Sequence, residues 1–302
     1  MKRYAFTMIE LIFVIVVMGI IGKFGVEFLA QAYKSFIFAN VNHTLQSSSA
    51  TTVEFIASRL QHRIKDSVIV RTGNTTLFTA LSNADSAVDY KVLEWIASDI
   101  DGFRATSKSY WSGIADLNIS TNIRIVSPET NTTAISQLID RLSYGDSDIG
   151  DAALYFIGSA SDNTGYGWDG NALTEQNTSV MHPISAVVGQ ITQFAPGTVN
   201  GITDDFRSVT MREYYKLAWT AYALSLEGYD PVTKMGTLVF YYNYQPWHGE
   251  MFYNGGNIHG VTLMENVSTF RAIAVGDIIK IQVCTKSDLV EEYSLCKEKT
   301  IF

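Results

Sequence analysis

At 302 residues, 47% hydrophobic and 17% charged, the chain is large enough to bury a substantial core and too apolar to remain a disordered coil. Its net charge of −8 is unevenly divided: residues 1–66 hold 7 Lys/Arg against 4 Asp/Glu, and residues 67–302 hold 15 against 26. The larger, acidic part is a poor match for a phosphate backbone, so nucleic acid is not an expected partner.

The first element is an apolar run, Leu11–Ile21, behind the basic residues Lys2 and Arg3 and with Glu10 at its edge. As a secretory signal it is deficient, because the stretch from Gly22 to Leu29 lacks a small-x-small cleavage site. As a plain anchor, Phe6–Gly22 is at the lower length limit for a spanning helix. Extension to Leu29 reaches full length but takes in Lys23 and Glu27, which must snorkel or pair. The leading cations place the N-terminus in the cytoplasm. Neither reading accounts for Glu10, since a carboxylate in an apolar helix is costly without a partner and is functional by default. A cut just before Phe6 would create an amine about one helical turn away, in the same chain or in a neighbouring helix.

The segment Ala5-Phe6-Thr7-Met8-Ile9-Glu10, followed by a long apolar helix, resembles the N-terminal signature of type IV prepilins and type II secretion pseudopilins. The resemblance implies a short leader, residues 1–5, removed by a prepilin peptidase between Ala5 and Phe6, with N-methylation of Phe6. It makes Glu10 the carboxylate that supports filament assembly. It further implies an α+β, lollipop-shaped fold: a transmembrane and filament-core helix over residues 6–29, an amphipathic continuation over 30–66, and an antiparallel β-rich head over 67–302. The implied partners are the inner membrane, an inner-membrane assembly platform and other pilins or pseudopilins; no cofactor is implied. Two features depart from the family pattern. Ala5 stands where Gly is usual, and the helix-kinking prolines are missing, the first Pro being Pro128.

Beyond the apolar run, Phe28, Ala32 and Phe36 keep a helical stripe, and Val53, Ile56, Leu60 and Ile64 resume it. The Ser/Thr-rich stretch 42–52 between them is weakly helical, and Thr51-Thr52-Val53-Glu54 fits a capping box, so a break and restart there is one expectation. After residue 67, short alternating segments between Gly, Asn, Asp and Ser predict strands at Ser67–Arg71, Ile123–Val126, Ala153–Ile157, Tyr215–Leu226, Thr237–Tyr244, Thr269–Val275 and Ile278–Cys284. Leu93–Ile100 and Ile135–Leu142 read as short helices, and the Gly/Asn/Thr-rich stretch 158–180 as a long surface excursion. The later strands, with Leu263-Met264-Glu265-Asn266-Val267 leading into a strand pair, are similar to the large minor subunits of these systems, the J-type pseudopilins and W-type minor pilins.

Other chemistry is sparsely signalled. Gly165-Tyr166-Gly167-Trp168-Asp169-Gly170 matches G-x-G-x-x-G, but no strand directly precedes it and no helical face follows, so no dinucleotide site is read from it. Asp146, Asp148 and Asp151 are weak calcium candidates whose spacing does not match an EF-hand loop; solvated turns are the simpler reading. The five histidines are scattered without an H-E-x-x-H pattern. Tyr241, Tyr242, Tyr244 and Trp247 form an aromatic cluster that reads first as core and second as a surface for a sugar or a partner protein. Cys284 and Cys296, alone in the chain, read as one disulfide in an envelope compartment, or as free thiols in a reducing one. Against the structural reading stands a membrane-anchored envelope enzyme or carbohydrate-binding module.

Overall fold

The computed structural model describes residues 7–159, 163–287 and 293–302. The first element is a single helix, α1 (Met8–Leu60), 53 residues long and therefore roughly 80 Å from end to end. It does not break in the Ser/Thr-rich stretch. There the hydroxyls of Thr44 and Ser49 bond back to the carbonyls of Asn40 and Leu45, which removes their competition with the backbone. Burial of Ser49, Thr52, Val53, Ile56, Ala57 and Leu60 against the head then outweighs weak propensity.

After α1 come β1 (Ile69–Arg71), β2 (Thr79–Ala80), β3 (Val92–Ile96), α2 (Ile100–Arg104), β4 (Ile125–Val126), α3 (Thr132–Leu142), β5 (Ala153–Phe156), β6 (Met181–Val187) and β7 (Gln190–Pro196). They are followed by β8 (Thr198–Val199), β9 (Ile202–Thr203), β10 (Tyr215–Ala218), β11 (Ala221–Asp230), β12 (Met235–Tyr242), β13 (His259–Val275), β14 (Ile278–Lys286) and β15 (Ser294–Ile301). Among the described residues these strands form an eight-stranded sheet in the order β15-β14-β13-β12-β11-β3-β1-β2, a five-stranded sheet in the order β10-β5-β6-β7-β4, and the small hairpin β8-β9. Every pairing is antiparallel. The chain is thus α+β: a long apolar N-terminal helix followed by an antiparallel β head.

Alternation along each strand sorts side chains between two faces of the large sheet. Leu224, Leu238, Phe240, Ile281 and Val283 meet Val53, Ile56 and Leu60 of α1. On the opposite face, Val92, Ile96, Ala221 and Ala223 pack with Tyr166, Trp168, Tyr244 and Trp247. The smaller sheet builds its own core with α3, around Phe156, Phe194 and Leu217.

Four expectations change. Val92–Ile96 is a central strand rather than a helix, since all five residues are buried between β1 and β11. The stretch Tyr215–Leu226 is two strands in different sheets, parted at Trp219-Thr220. Tyr166, Trp168 and Val180 are buried, so part of the stretch 158–180 folds into the core. Strands β6, β7 and β15 have no counterpart among the predicted elements.

Candidate functional site

The N-terminal segment is built around one carboxylate. The first turn of a helix leaves four backbone N–H groups without partners, and acidic side chains are favoured there. Glu10 lies in that turn, and its Oε2 accepts from both the backbone N–H and the hydroxyl of Thr7, each at 2.9 Å. The carboxylate therefore has a partner in its own chain. Thr7-x-x-Glu10 is the spacing of a capping box, so that partner is a local hydrogen-bond donor and not a cation. Ala5 and Phe6, the expected cleavage and methylation positions, lie outside the described residues. One helical turn separates Lys23 from Glu27, and the two charges face each other at 3.9 Å.

From Leu11 to Phe38 the helix presents large apolar side chains to its surroundings on every side, Phe13 and Phe28 among them at 70% and 72% exposure. A surface of this extent is not stable in water and calls for lipid or other apolar helices. Among the described residues α1 is the one helix long and apolar enough to cross a membrane.

The C-terminal hairpin grips the other half of the helix. Tyr293 places its ring edge-on to Phe38 at 5.0 Å and donates its hydroxyl to Asn42 Oδ1 at 2.7 Å. Lys299 on β15 pairs with Glu54 at 2.7 Å. Cys284 and Cys296, directly opposite each other on β14 and β15, are joined by a disulfide.

Comparison with known protein families, with characterised proteins and with solved structures finds no match for this chain. Its function has to be argued from its own residues.

The carboxylates of the acidic turn are engaged within the fold. Asp148 Oδ1 accepts from the Gly150 N–H, Asp151 Oδ2 accepts from the Asp148 N–H, and Asp146 Oδ2 lies 3.1 Å from His259 Nε2. These carboxylates hold a turn and its neighbour instead of converging, and no group of three or more His, Cys, Asp or Glu among the described residues is placed to hold a metal ion. The glycine-rich run has a packing role. A Cβ on Gly167, at φ +85°, would run into the Pro246 carbonyl oxygen, and one on Gly165 would strike Val180. The aromatic cluster divides: Tyr244 and Trp247 are fully buried, while Tyr241 and Tyr242 are half-buried on opposite faces of the sheet.

Several buried polar groups have no marker in the sequence. Arg71 and Glu94 form an ion pair inside the head. Arg71 also donates to the carbonyls of Thr75 and Trp168, at 2.7 and 2.6 Å, and Tyr244 donates to Glu94 at 2.9 Å. Burial pushes the Glu94 carboxyl up, against the pull of Arg71 and Tyr244. Asp99, where the chain leaves β3, accepts from the Gly102 N–H at 3.0 Å and from Trp111 Nε1 at 3.1 Å, and burial pushes its carboxyl up to about 6. His182 lies buried with Nδ1 3.2 Å from Gln176 Oε1, and burial pushes the imidazole down to about 4.

Proposed function

We propose that this chain is a minor subunit of a type IV pilus or a type II secretion pseudopilus, acting by assembly and not by catalysis. The observation that carries the reading is α1. It runs unbroken for 53 residues, starts at a carboxylate, leaves its first half bare and builds its last turns into an antiparallel head. A prepilin peptidase cuts between Ala5 and Phe6 and methylates Phe6. The helix then waits in the inner membrane, N-terminus cytoplasmic and head periplasmic. On assembly its bare apolar surface packs against the helices of sister subunits, and Glu10 meets a neighbour's N-terminal amine. The size of the head suits a subunit that starts the filament or sits at its tip.

Mass spectrometry of the mature N-terminus tests this directly. N-methyl-Phe6 is the expected first residue; an intact Met1, or a cut beyond Gly25, would overturn the reading. Glu10→Ala is expected to insert in the membrane but to be lost from filaments. Normal incorporation of that variant would remove the carboxylate from the mechanism.

A further inference from the structure

On the face of the large sheet turned away from α1, between the β1–β2 turn and the segment 252–258, runs a groove of about 620 Å³. That volume falls within the range of small-molecule sites. Its floor is formed by Val92, Ser225 and Tyr241, and its walls by Asn74 on one side and Phe252 and Tyr253 on the other. The rings are fixed in place. Tyr241 faces Gly260 across β12 and β13, and its ring takes the space a Cβ at 260 would need, the nearest ring atom lying 2.8 Å from that position. Phe252 packs on Tyr241 with centroids 5.5 Å apart, and Tyr253 stands edge-on to Phe252 at 5.1 Å.

Polar groups reach the same space. The register of β11 against β12 shifts between Glu227 and Asp230, next to Gly228 at φ +58°, and such a bulge re-aims the side chains beside it. Glu227 Oε1 accepts from the Tyr241 hydroxyl at 2.8 Å, while its Oε2 has no partner among the described residues. The Asn74 amide is likewise without a hydrogen-bond partner among the described residues.

This combination selects a ligand class. A sugar hydroxyl both donates and accepts, so a ring of hydroxyls is complemented by a carboxylate acceptor and an amide that both donates and accepts. Aromatic side chains supply a flat apolar surface for the C–H face of a pyranose. Glu227 is the charged group whose carboxylate faces the groove, which disfavours an anion, and the polar rim disfavours an aliphatic chain. The Lys91 ammonium is paired with Asp89 at 4.0 Å and lies over the Tyr229 ring, away from the groove. We propose that this groove binds a neutral oligosaccharide, stacked on Tyr241 and Tyr253 and hydrogen-bonded by Glu227 and Asn74. This inference stands apart from the assembly reading, since it needs neither Glu10 nor the bare helix.

The test uses the full chain in lauryldimethylamine oxide micelles, whose headgroup carries no sugar, with cellobiose, maltotriose and N,N′-diacetylchitobiose as probes in saturation-transfer NMR. Saturable binding of at least one probe is expected, with the strongest transfer at its ring C–H protons. Glu227→Gln is expected to weaken binding about tenfold, the loss of one charge-assisted hydrogen bond. Tyr253→Ala should weaken it by at least as much, and Tyr144→Ala, outside the groove, should leave it unchanged. If a groove variant fails to fold by near-ultraviolet circular dichroism, Asn74→Ala on the exposed turn takes its place, with a severalfold loss expected. Absence of saturable binding for all three probes overturns the proposal. So does binding insensitive to the groove variants, or a groove that takes up an extended peptide and no sugar.

Discussion

The disulfide is the feature whose removal has the most legible consequence. Cys284 and Cys296 are 12 residues apart, and closing a loop of that length removes denatured-state entropy worth about 3 kcal/mol in the chain-entropy model. The location adds a structural effect. Strand β15 is an edge strand, held in the sheet by β14 alone, and it carries Lys299, with Tyr293 just before it. Those two residues tie α1 to the head through Glu54 and Asn42. Replacing both cysteines, Cys284→Ser with Cys296→Ser, should therefore loosen the grip on α1 as well as destabilise the head. With a urea m-value of about 3 kcal/mol/M, the midpoint for unfolding the head falls by about 1 M. Hydrogen exchange should quicken in residues 294–301 and in the helix around Asn42 and Glu54, while β5, β6 and β10 keep their protection. A midpoint unchanged to within about 0.3 M would refute the reasoning. So would an equal loss of protection in the smaller sheet.

The remaining predictions concern the interior of the head. Arg71→Met leaves Glu94 buried beside Tyr244 without its cation and should cost about 3–5 kcal/mol in equilibrium unfolding; a loss under about 1 kcal/mol would show that the pair is dispensable. Gly167→Ala places a methyl group against the Pro246 carbonyl at a positive φ and should cost at least about 1–3 kcal/mol, whereas Gly189→Ala, also at positive φ but in open space, should cost less. The pH response has two opposed parts. The Asp99 carboxyl, raised in the fold, contributes stability that is full below about 4 and is lost as pH rises through about 6. The His182 imidazole, depressed in the fold, contributes stability that is full above about 6.5 and is lost as pH falls through about 4. Each shift corresponds to roughly 3 kcal/mol, so the two slopes nearly cancel between pH 4 and 6. His182→Asn should unmask the Asp99 slope and make the variant gain stability relative to the parent as pH falls through that window; parallel pH profiles for variant and parent would contradict this.

What could be read from the sequence follows from the kind of signal each element leaves. The apolar run of α1 and the alternation in Thr237–Tyr244 are local patterns, and both elements are present in the fold. Leu93–Ile100 reads as helix although Val92–Ile96 is a strand, because a strand buried on both faces loses its alternation. Trp168 was hidden by the Gly- and Asn-rich composition around it, which serves close packing against the turn at Pro246 and not exposure. Arg71 and Glu94 are 23 residues apart and come together only because β1 and β3 are neighbours in the sheet. The groove is assembled from five segments distant in the chain. Of its residues only Tyr241 stood out, grouped with Tyr242, which alternation sends to the other face, and with Tyr244 and Trp247, which turn into the core.

Glu10 joins the local and the longer-range readings of the helix. A carboxylate at the edge of an apolar surface needs hydrogen-bond donors, and Thr7 supplies two, which is sufficient reason for an acid at this position in a single chain. Both of those bonds go to Oε2, and Oε1 accepts from no group among the described residues. The cap thus orients the carboxylate while leaving half of its accepting capacity free. On the proposed assembly reading, an incoming amine would add to a carboxylate already held in position and would not have to displace Thr7. Under that proposal capping and assembly would be successive uses of one side chain: the first makes the acid tolerable in an isolated helix, and the second would use the oxygen that the first leaves open.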